Sequence, residues 1–203
     1  MPGLPAGSRV VGCWMGLGGY ATHRLLPAEA VVPLPEAVSF EVAATAVDSY
    51  TTMLFALTRR TSVRPGEWVV VLGAGGGIGL AAVDVASSLG ARVIAAASSP
   101  AKRGHSGRYL VVGFAGGSIP RVPLNRILLG NRTVIGVDWG AWAGQDPAGN
   151  RALVAELLQR VAAGVLHPVA PQTYPLERAA EALAELGGRR VTGKLALLPG
   201  NVH

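Results

Sequence analysis

A run of glycines between two apolar segments offers the clearest chemistry in the chain. It reads Gly-Ala-Gly-Gly-Gly-Ile-Gly, and in the frame of a dinucleotide-binding fingerprint it gives Ala74-x-Gly76-x-x-Gly79. Gly76 would let the backbone approach a diphosphate without a Cβ clash, and Gly79 would let a helix pack closely on a strand. Exposed N–H groups at the start of that helix, at Gly77 and Ile78, would then bind the anion. The loop therefore predicts a phosphate-binding site.

The elements around this loop have the order that such a site needs. Trp68–Leu72 is a continuous apolar run, typical of a parallel strand that is buried on both faces. Leu80–Leu89 predicts an apolar helix closed by Gly90, and Arg92–Ala97 predicts a second buried strand. Strand, glycine loop, helix and strand form a complete βαβ unit, so the segment is of the Rossmann type. The alternative for the loop is a structural turn without a ligand.

The residues beyond the second strand indicate which nicotinamide cofactor is bound. NAD-selective sites place an acidic residue roughly 20 residues beyond the glycines, on the ribose hydroxyls. This chain has no carboxylate there and instead has Ser98, Ser99, Lys102 and Arg103. Hydroxyls and cations can bind and neutralise a 2′-phosphate, so the sequence predicts NADPH rather than NADH. The alternative is a solvated helix start at which the two cations contact only water.

Residue types and spacing reveal no catalytic side chain and no metal site. The sequence has no Ser-His-Asp arrangement in a plausible order and no motif of paired carboxylates. Its single cysteine, Cys13, excludes an intramolecular disulfide and a cysteine-cluster zinc site, and its four histidines lack metal-ligand spacing. Asp48 lies in an otherwise apolar helical segment, so we expect it to face a cleft or to pair with an arginine.

Composition limits the remaining functions. Half of the 203 residues are hydrophobic and 15% are charged, which provides a buried core and argues against disorder. The net charge of +6 favours an anionic partner, although the basic residues are scattered. A nucleic-acid partner is not expected, because aromatic residues make up only 5% and form no stacking platform. No apolar stretch is long enough to span a bilayer and no signal peptide is evident, so we expect a cytoplasmic protein without membrane contact.

The rest of the chain predicts an α/β fold preceded by a short β-rich segment. N-terminal strands are expected at Ser8–Cys13, Tyr20–Leu26 and Ala30–Leu34, which together look like the end of a small β-barrel. Ser39 is a suitable N-cap for the mostly buried helix that follows. Later elements are expected to be the strand Tyr109–Phe114, the strand Thr133–Trp139, a helix from Asp146-Pro147 to Gly164, the helix Leu176–Leu186 and the strand Gly193–Leu198.

Short motifs along nearly the whole chain point to one known enzyme family. In order, they are residues 7–12 with 18–21, Leu34-Pro35 with 39–44, Ala74–Gly79, Ala97–Pro100 with Lys102, Val112–Gly117 and Val191–Lys194. Through these motifs the chain resembles the zinc-independent quinone oxidoreductases of the medium-chain dehydrogenase/reductase superfamily. The resemblance implies a Rossmann-type parallel sheet with helices on both faces, beside a GroES-like β-barrel. It also implies hydride transfer from NADPH to a quinone or another conjugated carbonyl.

The resemblance further implies roles for individual residues. Asp48 falls where family members usually have an apolar residue. In the family, the last Rossmann strand pairs with its twin in a second subunit, so we expect a homodimer through Thr133–Trp139. Besides those of the glycine loop, the implied cofactor residues are Tyr50 and Thr52 near the nicotinamide, Ser98, Ser99 and Lys102 at the 2′-phosphate, Phe114, Ala115 and Gly116 along the nicotinamide pocket, and Lys194.

Two departures from the family pattern modify these expectations. Only the last strands of the barrel are present, so residues 1–38 would be a remnant of the catalytic domain and residues 39–203 the NADPH-binding domain. After Arg103 the family has about two further βα units, whose loss would remove strands from the sheet. We expect Val69–Leu72 to pair directly with Tyr109–Val112, since a gap would leave buried backbone groups unpaired. The alternative to an active reductase is then a catalytically inactive NADPH-binding module.

Overall fold

The protein has an α/β fold in which short strand pairs pack against helices. The computed structural model describes residues 4–13, 18–96, 106–114, 119–188, 191 and 193–200. None of the helices in these ranges combines the length and apolar character needed to cross a membrane. In chain order the strands and helices are β1 (Val10–Gly12), β2 (Val31–Pro33), α1 (Phe40–Phe55), β3 (Trp68–Leu72), α2 (Gly77–Ser88), β4 (Arg92–Ala96), β5 (Arg108–Val111), α3 (Leu124–Leu128), β6 (Thr133–Gly136), α4 (Trp139–Gln145), α5 (Pro147–Ala162), β7 (Gln172–Pro175), α6 (Ala179–Gly187) and β8 (Leu195–Leu198).

The N-terminal segment contains one antiparallel strand pair. β1 pairs with β2 in a register that places Val11 opposite Val32. The predicted strand Tyr20–Leu26 is wrong, because these residues form bends and irregular backbone. Leu25 is 99% exposed, so the apolar residues of this segment lack the buried face that would hold a strand in a sheet.

α1 lies at the centre of the hydrophobic core. Its N-cap is Ser39, as predicted, and the Ser39 hydroxyl oxygen accepts a hydrogen bond from Val42 N at 3.2 Å. Leu54 is completely buried, and Phe55 stacks on Trp142 with 4.7 Å between the ring centroids. Because α1 contacts α2, α4 and α5, its side chains are held in place by three other helices.

The βαβ unit predicted around the glycine loop is present, but the prediction that its strands are buried is wrong, because Trp68 and Ile94 are 64% and 47% exposed. β3 pairs with β4 in parallel, with Val70 opposite Ile94, and α2 connects the two strands and packs on both of them. α2 begins at Gly77 rather than at Leu80, so the last glycines of the loop form the first helical turn. The loop therefore follows the carboxyl end of a parallel strand, which is where ligands bind in open α/β sheets.

β3 and β5 do not pair with each other, so the predicted direct pairing of Val69–Leu72 with Tyr109–Val112 is wrong. β5 pairs in parallel with β6, and each described strand belongs to a two-stranded sheet. The prediction assumed that β3 lies in fully buried surroundings, but Val70 and Leu72, which share one face of the strand, are 41% and 50% exposed. The expected cost of a gap depended on burial, and this strand is not buried on both faces.

Side chains connect the β3–β4 pair with the β5–β6 pair. The Arg108 guanidinium at the start of β5 donates to the Glu67 carboxylate at 2.6 Å and to Ser62 O at 2.8 Å, just before β3. Arg60 Nε donates to Gly136 O at the end of β6, at 3.0 Å. Charge-assisted hydrogen bonds thus tie the β5–β6 pair to residues 60–67, just before β3.

The C-terminal half keeps the predicted elements with shifted boundaries and also contains α3, α4 and β7, which were not predicted. Asp146 caps α5, and its carboxylate accepts a hydrogen bond from a backbone N–H in the first turn. Trp139 was expected in a strand but opens α4, where it is buried and its Nε1 donates to Asn150 at 2.9 Å. β7 pairs with β8 in parallel, and β8 begins at Leu195 rather than at Gly193.

Candidate cofactor site

The glycine loop is a tight turn in which side chains have little room. Gly73 has a φ of +72°, a conformation that favours glycine, and its N–H donates to Ala96 O at 2.9 Å. A Cβ atom on Gly79 would overlap Gly73 O and would lie 2.7 Å from Ala74 Cα. A side chain at this position would therefore push into backbone atoms, which explains why close packing of α2 on β3 needs glycine here.

α2 points the positive end of its dipole at this turn. Gly76 is the N-cap, and a helical hydrogen bond runs from Leu80 N to Gly76 O at 2.8 Å. The N–H groups of Gly77, Ile78 and Gly79 precede that bond and belong to the first turn, whose amides have no intrahelical acceptor. Free amides at the N-terminus of a helix favour phosphate groups of a ligand.

Lys194 lies across the start of α2. Its side chain is so close to Gly77 that an added Cβ atom would lie 2.6 Å from Lys194 Cε. The lysine ammonium is 3.4 Å from Asp48 Oδ2, and 34% of the lysine side chain and 62% of the aspartate side chain are exposed. Asp48 thus pairs with a lysine instead of the expected arginine. This arrangement adds a full positive charge to the positive end of the helix dipole.

An open cleft extends from this lysine along α1. Ser49 contributes a buried hydroxyl oxygen that has no hydrogen-bond partner in the described part of the chain. The residues that line the cleft are Thr45, Ala46, Ser49, Tyr50, Gly77, Leu80, Pro168, Val169, Gly193 and Lys194.

The polar groups around the cleft suit a ligand that carries phosphate. The free amides and Lys194 suit a diphosphate, and the Ser49 hydroxyl needs a polar partner because a buried unpaired polar group is costly. Thr45 and Ser49 were missed by sequence reasoning, although they are small polar residues in an apolar helix. Their spacing of i, i+4 places both on one face, and this was the available signal.

Tyr50 and Thr52, predicted near the nicotinamide, are both buried in α1. Burial raises the pKa of Tyr50 well above its usual range. The Asp84 carboxylate, which accepts a hydrogen bond from the Tyr50 hydroxyl, raises this pKa further. Asp84 also accepts a hydrogen bond from His167 N at 2.6 Å. Thr52 donates its hydroxyl proton to Asp48 O at 2.7 Å. Tyr50 reaches the cleft, whereas Thr52 is not part of its lining.

The structure describes only part of the predicted cofactor site. Ala74 and Ile78 are partly buried and pack against the core, and Phe114 is 47% exposed beyond the end of β5. The predicted residues that lie outside the described ranges are Ser98, Ser99 and Lys102 of the 2′-phosphate region and Ala115 and Gly116 of the nicotinamide region.

The described residues offer no ligand set for a metal ion. Within these ranges, no group of three or more histidine, cysteine, aspartate or glutamate residues could hold one. Cys13 is partly buried, and burial together with the nearby charge of Asp48 raises the pKa of its thiol. The thiol is therefore protonated and a poor nucleophile near neutral pH.

Comparison with known proteins finds relatives that span most of the chain. A family model described as zinc-binding dehydrogenase matches residues 42–197. Quinone oxidoreductase-like protein 2 of Bos taurus is 32% identical over 244 aligned positions, which cover 94% of this chain and 69% of the relative. Because this alignment is longer than the 203-residue chain, the relative has internal residues without a counterpart here.

Solved structures share the same architecture. The quinone oxidoreductase of Thermus thermophilus, which was also solved in complex with NADPH, has a TM-score of 0.80 at 29% identity and covers 96% of this chain and 78% of its own. The Pseudomonas syringae pv. tomato quinone oxidoreductase has a TM-score of 0.83 at 25% identity, with 97% and 76% covered. These similarities confirm the α/β fold with a Rossmann-type domain and the family resemblance predicted from the motifs.

Proposed function

The chain belongs to the zinc-binding dehydrogenase family and is quinone oxidoreductase-like; from this premise we propose that it is an NADPH-dependent reductase of quinones or conjugated carbonyls. One observation carries the proposal. The Lys194 side chain lies beside Gly77, in the first turn of α2 that follows β3, and its ammonium nitrogen is 3.5 Å from where a Gly77 Cβ atom would be. This point suits the diphosphate of a dinucleotide, because the helix dipole and the lysine both favour negative charge.

Selectivity for NADPH over NADH is assigned to the segment after β4. Ser98, Ser99 and Lys102 supply hydroxyls and a cation for the 2′-phosphate, and the segment has no carboxylate for a free ribose hydroxyl. The proposal for these residues rests on the sequence. A side-by-side titration with NADPH and NADH tests it, and equal affinities for the two cofactors would contradict it.

The protein itself contributes binding, orientation and exclusion of water in this proposal. When bound, NADPH supplies a hydride, and the quinone accepts this hydride together with one proton from water to become a hydroquinone. Ser49 is proposed to hydrogen-bond the cofactor beside the diphosphate, because its hydroxyl is buried in the cleft without a partner among the described residues.

A binding experiment with matched variants tests the cofactor site. Lys194→Gln removes the cation at the diphosphate and is expected to raise the Kd for NADPH about tenfold, the loss of one charge-assisted hydrogen bond. Arg59→Gln is the control, since Arg59 is an exposed cation that pairs with Glu156 at 3.3 Å and does not line the cleft. Fluorescence titration measures both. If both substitutions raise the Kd for NADPH equally, Lys194 is not a specific ligand of the diphosphate.

Turnover is tested separately from binding. The purified protein is mixed with NADPH and a simple quinone, and the loss of nicotinamide absorbance is followed against a blank. A rate above the blank that falls in Lys194→Gln supports the reductase. Turnover no faster than the blank, together with saturable NADPH binding, favours the alternative of a binding module without activity. The longer alignment with the bovine relative favours this alternative, because it shows that relatives contain segments that this chain lacks.

We also propose a two-part organisation and a homodimer. Residues 1–38 would be the remnant of a catalytic barrel, supported by the β1–β2 pair, and residues 39–203 the NADPH-binding domain, supported by the family match at 42–197. The dimer would form through β6, within the predicted strand Thr133–Trp139, because β6 pairs only with β5 among the described strands. Light scattering tests this, and a monomer at all protein concentrations would contradict it.

A further inference from the structure

Lys194 occupies a position where a cation is unfavourable without an anion. It lies beside Gly77, in the first turn of α2, and the positive end of a helix dipole repels positive charge. In the structure the compensating anion comes from the chain itself, because Asp48 Oδ2 is 3.4 Å from the Lys194 ammonium. Asp48 and Lys194 are far apart in sequence, so this pairing is made by the fold and not by local chain geometry.

We propose that Asp48 is a resident counter-ion that holds Lys194 until the diphosphate of the cofactor replaces it. This inference rests on the proposed function, because it assigns the displaced position to NADPH. A diphosphate and the Asp48 carboxylate both require the same ammonium group, and placing them together brings like charges close to each other. The Asp48 side chain is 62% exposed and therefore has room to move into solvent when the cofactor binds.

The pair then sets the affinity of the site. Each binding event has to break the Asp48–Lys194 contact, so the carboxylate lowers affinity for any ligand that carries phosphate at this point. Removing the carboxylate should therefore improve NADPH binding. It should also leave Lys194 uncompensated in the free protein, so the stability of the free protein should decrease. Loss of the carboxylate thus strengthens NADPH binding and lowers stability, whereas a merely structural role for Asp48 would weaken both stability and binding.

Asp48→Asn tests the proposal with a nearly isosteric side chain. We expect the Kd for NADPH to fall about two- to fivefold, the range of an exposed ion pair, and the Tm of the free protein to fall by about 1–3 °C. Glu36→Gln is the matched control, because it removes the same charge from an exposed residue outside the cleft. In a Lys194→Gln background, Asp48→Asn should no longer improve affinity, because the shared cation is gone.

The outcomes separate this inference from the proposed function. If the unaltered protein binds NADPH and Asp48→Asn binds it equally or more weakly, the counter-ion role is overturned and the cofactor site stands. If neither protein binds NADPH, the proposed function fails and the inference fails with it. An equal gain in Glu36→Gln would assign the effect to net charge rather than to Asp48. Inorganic pyrophosphate serves as a second probe, and it should compete with NADPH more strongly in Asp48→Asn.

Discussion

Replacing Gly79 by alanine tests the packing that holds the glycine loop. The new Cβ atom would overlap Gly73 O and lie 2.7 Å from Ala74 Cα. Both contacts are to backbone, so no side chain can rotate away and the turn itself has to move. The start of α2 would be pushed away from the end of β3, and the free amides of the first turn would shift with it.

The expected loss of stability follows from two opposing effects. Inserting a methyl group into a filled site costs about 1–3 kcal/mol, and rigid neighbours place this change at the upper end. Alanine is favoured over glycine in a helix by about 1 kcal/mol, which offsets part of the cost. The net decrease in the free energy of unfolding is about 2 kcal/mol, or about 4–8 °C in Tm for a chain of this size.

Two neighbouring glycines provide matched controls for this substitution. A Cβ atom on Gly75 would meet nothing within 4 Å, so Gly75→Ala should leave stability within about 0.5 kcal/mol. A Cβ atom on Gly76 would lie 3.6 Å from Gly73 O, an ordinary contact, so stability should again be retained. Gly76→Ala should nevertheless weaken NADPH binding, because its side chain would occupy the approach to the diphosphate.

Urea unfolding followed by circular dichroism measures all three variants. The midpoint should move only for Gly79→Ala, with an unchanged slope, so that the change reports stability rather than compactness. NADPH titration should detect losses in Gly76→Ala and Gly79→Ala and none in Gly75→Ala. The reasoning is refuted if Gly79→Ala has the midpoint of the unaltered protein, or if all three substitutions lower it equally.

Other positions give further tests of the fold. Leu157→Ala should lower the free energy of unfolding by about 2–5 kcal/mol, because Leu157 is 0% exposed. Leu183 is 47% exposed, so Leu183→Ala should cost less than about 1 kcal/mol. Urea titration compares the two variants. Asp146→Ala removes the N-cap of α5 and should cost about 1 kcal/mol in a thermal melt. The pKa of Tyr50 is raised in the folded state, so the contribution of this tyrosine to the free energy of unfolding is constant below about pH 10. Above that pH the unfolded chain loses the phenol proton while the folded protein keeps it, so stability declines. Tyr50→Phe should abolish this decline in urea midpoints.

Features set by short stretches of sequence were predictable. Ser39 and Asp146 were recognised as N-caps because such residues bond to backbone groups three positions away. The βαβ unit was recognised because an apolar strand, a glycine loop and an apolar helix each have a local pattern. Even here boundaries moved, since Gly77 and Gly79 belong to the helix rather than to the loop. Glycine content alone does not tell where the first helical turn begins.

Features set by distant parts of the chain were not predictable. The partner of Asp48 is Lys194, and only the packing of β8 against α1 brings them together. The unpaired Ser49 hydroxyl became visible as a site feature only once burial was known. The pairing of β3 with β5 was predicted incorrectly because it assumed that β3 is buried on both faces, whereas one face is exposed. Exposure decides whether an unpaired backbone group is costly, and a linear sequence does not contain that exposure.

The position of the site explains how binding and turnover can separate in this protein. The cleft is lined by α1, the first turn of α2, the segment between α5 and β7 and the segment before β8, and none of its lining residues belongs to β5 or β6. The gap between β3 and β5 therefore leaves the proposed diphosphate site intact. Relatives contain residues within the aligned span that this chain lacks, and we propose that their absence affects turnover more than binding. A protein that binds NADPH tightly and reduces quinones slowly would follow directly from this geometry, without any loss of folding.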